Sequence, residues 1–201
     1  MAHQTDGPDH AEFVRYEESG EGEHHHRGKS SESLLSKEKI LAALAIEPGQ
    51  TILDAGCGNG YMSRAFASLV AEGGKVFALD PDQEAISILR QQASDGNIVP
   101  LVGDITATTE LPASTFDLIY LSTVVHGFSP QQFSGFEREV KRLLAPGGKL
   151  AIVEIEKRDT PFGPPLERRF SAQDLQQALD LTPLATVDVG EFFYLQTFGN
   201  R

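Results

Sequence analysis

Cysteine is almost absent: Cys57 is the only one in 201 residues, so no disulfide can close within the chain and a reducing cytoplasm is the expected compartment. Long apolar runs are missing as well. Nothing approaches the roughly 18 to 20 consecutive apolar residues that cross a bilayer, and the N-terminus carries no basic segment followed by an apolar one, so neither a membrane span nor export is expected. Bases are scarce, 17 Lys and Arg against 29 Asp and Glu, for a net charge of −12. Nucleic acid is therefore disfavoured as the main partner, because phosphate backbones are held largely by Lys and Arg. No internal repeat or inserted second domain is visible. A hydrophobic fraction of 40% with 23% charged residues fits a single globular domain with a sizeable core. Nothing in these totals sets the oligomeric state.

The most informative stretch is Thr51-Ile-Leu-Asp-Ala-Gly-Cys-Gly-Asn-Gly60, a short apolar strand running into a glycine-rich turn. Gly56, Gly58 and Gly60 supply positive-φ backbone and room for a ligand to touch the main chain. Met62, Ala65, Phe66 and Leu69 then recur at helical spacing. A dinucleotide loop would read GxGxxG and offer a helix start to pyrophosphate. This one reads GxGxG, with Asp54 two residues ahead of the first glycine. A carboxylate there repels phosphate and suits a cationic, phosphate-free ligand such as S-adenosylmethionine, with its ammonium and sulfonium groups. Asp80, twenty residues past Gly60 at the end of Lys75-Val-Phe-Ala-Leu-Asp80, stands where a ribose diol finds a carboxylate acceptor.

Further along, Ser31 to Ala45 reads as a first helix, stopped by Pro48-Gly49, and Pro81 occupies a favoured first helical position behind Asp80. Ile98 to Ile105 supplies a third strand, with Pro100 pointing to a boundary or an edge position. Ser129-Pro130 opens a helix with Phe133, Phe136, Val140 and Leu143 on one side. Ser171-Ala-Gln-Asp174 reads as a capping box. Residues 1 to about 30 differ, since the first 35 residues hold eight acids and three bases. They are expected to form a flexible segment that could serve as an active-site lid, ahead of a folded domain over 31–201. The run His24-His-His26 lies in it and reads as solvated loop, with no metal assigned.

Four features in order resemble the class I S-adenosylmethionine-dependent methyltransferases: the glycine loop with Asp80; Val102-Gly-Asp-Ile105; Phe116-Asp-Leu-Ile-Tyr-Leu121; and Leu143-Leu-Ala-Pro-Gly-Gly-Lys-Leu150. The resemblance runs from about Ile46 to the C-terminus. It implies a doubly wound α/β fold with a mostly parallel seven-stranded sheet and a C-terminal antiparallel pair near 185–189 and 192–198. Asp54, Gly56, Gly58, Gly60, Asp80, Pro81, Asp104, Ile105 and Leu121 then become the cofactor-binding residues, with Asp104 near the adenine amino group. After the fourth strand, Leu121-Ser-Thr-Val lacks the Asp/Asn-Pro-Pro-aromatic tetrad of methyltransferases acting on exocyclic amines of bases. The acceptor is accordingly expected to be a small molecule.

Methyl transfer is an in-line displacement in which protein groups chiefly position and desolvate the reactants. Two residues are candidates for facing the acceptor. His126, just beyond the fourth strand, carries an imidazole that titrates in the useful range. Arg169 follows Gly163-Pro-Pro165, whose prolines would aim its guanidinium at an anionic or carbonyl group; a pair with Glu167 is the plainer alternative. Cys57 reads as packed under the glycine loop rather than as a nucleophile. Tyr61 lies near the cofactor or in the core. A protein that holds S-adenosylmethionine without turnover is the rival from another class, and a nicotinamide oxidoreductase is disfavoured by the glycine spacing.

Overall fold

In this computed structural model, which describes residues 31–93 and 96–200, strands and helices alternate along the chain. The strands are β1 (Thr51–Ala55), β2 (Lys75–Asp80), β3 (Ile98–Val102), β4 (Phe116–Ser122), β5 (Leu144–Ile155), β6 (Thr182–Gly190) and β7 (Phe193–Gly199). The helices are α1 (Lys37–Leu44), α2 (Tyr61–Val70), α3 (Gln83–Gln92), α4 (Pro130–Leu143) and α5 (Ala172–Ala178). The strands form one sheet in the order β3-β2-β1-β4-β5-β7-β6. All neighbours are parallel except those of β7, which runs antiparallel to both β5 and β6. The strand order reverses between β1 and β4, the point at which open α/β sheets bind ligands beyond their carboxyl ends.

The sheet is covered on both faces, which is why its central strands are apolar throughout. Ile52, Ala78, Tyr120 and Val153 pack with α1, α2 and α3 through Ile40, Leu44, Phe66, Val70, Ile86 and Leu89. Leu53, Leu79, Ile119 and Ile152 face the other way, onto Phe136, Val140 and Leu143 of α4 and Leu175 of α5. Each Val, Leu, Ile or Phe among them contributes about 1.5–3 kcal/mol when fully buried. β3 is an edge strand, which accommodates Pro100 opposite Ala78.

Three local readings shift. The first helix is divided: a 3-10 turn covers Ser31–Leu34, and α1 begins only after Ser36, whose hydroxyl accepts from Lys39 N and whose own N–H donates to Val189 O. Pro81 is not the first helical residue. Asp82 caps α3 by accepting from Glu84 N and Ala85 N, so the helix starts two residues later than expected. The buried face of α2 is Ser63, Phe66, Ala67 and Val70, rotated from the Met62-to-Leu69 stripe because Ser63 turns inward to a buried carboxylate; Leu69 is exposed. Both serine-led helix starts hold, with reciprocal capping boxes at Ser129/Gln132 and Ser171/Asp174.

Candidate functional site

β1 ends in the glycine loop, and each glycine answers a different requirement. All three have positive φ, +77° at Gly56, +51° at Gly58 and +77° at Gly60. A Cβ on Gly56 would sit 2.5 Å from Val124 Cγ2, and one on Gly60 2.5 Å from Leu89 Cδ1, so both allow close packing of backbone on neighbouring elements. Among the described residues nothing lies within 4 Å of a Cβ on Gly58, so the space on that side of its backbone is open. The loop is tied to the neighbouring strand: Gly56 N and Cys57 N donate to Leu79 O, and Gly58 N donates to Asp80 Oδ2 at 2.8 Å.

Two carboxylates lie beneath this loop. Asp54 is 3% exposed and takes a 2.5 Å hydrogen bond from Ser63 Oγ, the first turn of α2 reaching back to β1. Burial pushes its pKa up to about 7; the Ser63 bond opposes that rise and the charge of Asp80 adds to it. Asp80 is fully buried, with Oδ1 accepting from Asp82 N and Oδ2 from Gly58 N. Both acids therefore build the loop as well as charging it. Cys57 is buried, and burial, reinforced by Asp54 and Asp80, pushes its thiol well above the ordinary range, the reverse of an activated nucleophile. Tyr120, paired with Asp54 in the β1–β4 register, is buried with its ring edge-on to Phe66.

The loop after β3 presents Asp104 on the surface, its Oδ1 accepting from Thr106 N. This loop is clamped to α4. Glu139 accepts from Thr109 N and Oγ1 and from Arg142, while Arg142 donates to Leu111 O and Thr109 O. Gly135 meets the backbone so closely that a Cβ would stand 1.9 Å from Thr106 O. Ile105 and Leu121 are buried in the α4-side core, which leaves their main chains rather than their side chains for any ligand. Pro81 is exposed between Asp80 and the α3 cap.

Past β4 the chain turns through Thr123 at φ +56°, a left-handed conformation for a β-branched residue. The turn carries Val124 onto Gly56 and His126 into a short 3-10 helix, Val125–Gly127. There the chain meets Glu154 of β5, which is fully buried. Its Oε1 accepts from Val125 N at 2.8 Å and His126 N at 3.3 Å, and its Oε2 lies 2.7 Å from His126 Nδ1. The imidazole is 23% exposed. Glu154 was not among the sequence candidates, and its signal was slight: one acid inside the apolar run Leu150–Ile155.

Arg169 has a different place from the one expected. It is 6% exposed, and all three guanidinium nitrogens donate to its own loop, at Pro164 O, Glu156 O, Arg158 O, Thr160 Oγ1 and Phe162 O. The prolines and Gly163, at φ +102°, bend the segment around the guanidinium, so Arg169 holds the loop instead of reaching an acceptor. It is not paired with Glu167 either. His24 to His26 lie outside the described residues. Among the described residues there is no cluster able to hold a metal ion and no helix long and apolar enough to cross a membrane.

The comparisons agree with this architecture. A methyltransferase-domain family model matches residues 52–148. The ubiquinone/menaquinone biosynthesis C-methyltransferase UbiE of Cronobacter sakazakii is 29% identical over 164 residues, covering 80% of this chain and 63% of that protein. The Vibrio vulnificus UbiE is 28% identical, over 80% and 61%. This chain thus spans about three fifths of the length of these relatives. Among solved structures, an S-adenosylmethionine-dependent methyltransferase from Aquifex aeolicus superposes with a TM-score of 0.77 at 26% identity, over 87% of this chain and 94% of that one. One from Mesorhizobium loti, at 19% identity and a TM-score of 0.65 over 80% and 95%, shares the fold. With the strand order, the reversed seventh strand and the glycine loop at the switch point, these matches show that the chain has the fold of the S-adenosylmethionine-dependent methyltransferases and is similar to them in sequence.

Proposed function

We propose that the protein transfers a methyl group from S-adenosylmethionine to a small-molecule acceptor in the crevice between the carboxyl ends of β1 and β4. The observation that carries this reading is the open backbone at Gly58, set over two buried carboxylates with no basic side chain between Asp54 and Met62. Pyrophosphate would meet Asp80, and any ionised Asp54, with no base in this loop to offset its charge, whereas a cationic donor is attracted by Asp80 and favours the ionised form of Asp54. Asp80 stands at the end of β2 for the ribose, Asp104 on the next loop for the adenine amino group, and the main chains of Gly56, Gly58, Gly60, Pro81, Ile105 and Leu121 form the remaining walls.

The donor supplies an electrophilic methyl group, whose S–C bonding pair stays on sulfur as the acceptor–carbon bond forms. The chain's own residues hold the reactants in line and exclude water, and His126 sits on the acceptor side of the crevice. The curated relatives carry names from quinone biosynthesis, a small-molecule pathway, and their C-methyl chemistry makes electron-rich ring carbons the first acceptors to test. The test is a screen of phenols, quinols and thiols with methyl-labelled donor, scoring S-adenosylhomocysteine. Labelled product that fails to form with His126→Ala, at unchanged donor affinity, supports the reading. Donor binding without turnover on any acceptor would instead describe a regulatory subunit that holds the donor.

A further inference from the structure

We infer that Glu154 is a positioning residue that fixes His126 as a proton acceptor, and hence that the acceptor is one that must lose a proton as it is methylated: a phenolic hydroxyl or the C–H of an activated ring carbon. This rests on the methyl-transfer reading above and deepens it. The argument begins with Glu154, the buried acid inside the β5 core. A carboxylate in that setting is costly unless its lone pairs are engaged. Two backbone N–H groups, of Val125 and His126, donate to Oε1, and Nδ1 of the His126 ring lies 2.7 Å from Oε2.

The backbone bonds define the direction of the ring bond. Oε1 is already occupied by two main-chain donors, so Oε2 faces Nδ1 as an acceptor, and Nδ1 is the nitrogen that carries the hydrogen. In the neutral ring Nε2 then has a bare lone pair. No described residue hydrogen-bonds to Nε2, the ring is 23% exposed, and it is two residues past Val124, which packs on Gly56 of the glycine loop. The same carboxylate fixes the position of the turn itself, so the ring is held at the carboxyl end of β5 by the strand rather than by a free loop.

The proton balance follows. As the acceptor atom forms its bond to the methyl carbon, its O–H or C–H bond breaks, the bonding pair remains on the acceptor and the proton passes to Nε2. The resulting imidazolium keeps its Nδ1–H on Glu154, whose negative charge stabilises it. An acceptor already ionised in solution, such as a thiolate, has no use for this pair. The neutral histidine with an oriented second nitrogen is the arrangement that general-base catalysis requires.

The test is 15N NMR of imidazole-labelled full-length protein on the alkaline side of the ring titration, with His126→Gln identifying the His126 resonances among the six histidines. Wild type is expected to show a protonated Nδ1 and a bare Nε2. In Glu154→Gln the amide oxygen can still accept the backbone N–H groups, which turns the amide NH2 toward Nδ1 and inverts the tautomer. A protonated Nε2 in wild type, or an even mixture of tautomers, overturns the proposal without requiring any variant to fold. An unchanged tautomer in a folded Glu154→Gln does so as well. S-adenosylmethionine titrations on the same samples separate the two levels of argument. Retained donor binding with the wrong tautomer removes only this inference, whereas wild type that fails to bind the donor removes the methyl-transfer reading and this inference with it.

Discussion

Replacing Asp54 with Asn should stabilise the donor-free protein, and more so as the pH rises. The folded carboxyl has its pKa raised from 3.8 to about 7, because burial beneath the glycine loop, with Asp80 adding to it, disfavours the charge more than the Ser63 bond favours it. A raised value means that the folded state binds the proton more tightly than the unfolded chain. The stability associated with that proton is complete below about pH 4 and is lost as pH rises through about 7. A shift of about three units corresponds to about 4 kcal/mol in total, of which about 3 kcal/mol falls between pH 5 and 8.5. Asn keeps an acceptor for Ser63 Oγ and has no ionisation to lose. Urea denaturation of both proteins at pH 5 and at pH 8.5 is the assay, with the midpoints converted through a common m-value. The gap in favour of Asp54→Asn should widen by about 3 kcal/mol at the higher pH. A gap that stays constant across this range would refute the claim that Asp54 is held protonated by its surroundings.

The same acid should release a proton when a cationic donor binds near pH 7, so calorimetric heats in buffers of different ionisation enthalpy should diverge; identical heats would separate Asp54 from the donor's charge. Gly58→Ala, at φ +51° with free space around its Cβ, should cost the fold only about 1 kcal/mol yet weaken donor binding by about tenfold or more by filling the ligand's approach; unchanged affinity would put the donor elsewhere. Gly56→Ala drives a Cβ into Val124, so thermal melts should show a large loss that a Val124→Ala background partly recovers. Arg169→Lys should lower stability by about 3 kcal/mol, because one ammonium cannot reach the carbonyls that the guanidinium bridges. Donor affinity should stay within about twofold of wild type, and a large loss of affinity at normal stability would return Arg169 to the ligand site.

The methyltransferase likeness and the sheet were legible because their signals are local in the sequence. The strand-loop-helix at 51–70 carries its own periodicity and turn chemistry, and Asp80 and Asp104 mark strand ends by position in the chain. Serine caps at 129 and 171 were readable for the same reason. What escaped were properties set by neighbours distant in sequence. Glu154 gains its meaning from a turn 28 residues earlier that supplies two backbone donors and a ring nitrogen. Arg169 could be read as aimed, since no local pattern shows that the preceding loop folds back and engages every guanidinium nitrogen. Ser63 and Pro81 were displaced by single competing interactions, an inward bond to Asp54 and a stronger cap at Asp82. Asp54 itself was read as an open charge for the ligand, whereas the helix it supports covers it and raises its pKa.

The central claim is most directly tested by the crystal structure of the protein grown with S-adenosylmethionine. The account places the donor across the carboxyl ends of β1 and β4, with its ribose at Asp80, its main-chain contact at Gly58 and its methyl group on the side of His126. A crevice left empty at saturating donor, or a donor seated away from Gly58, would contradict it.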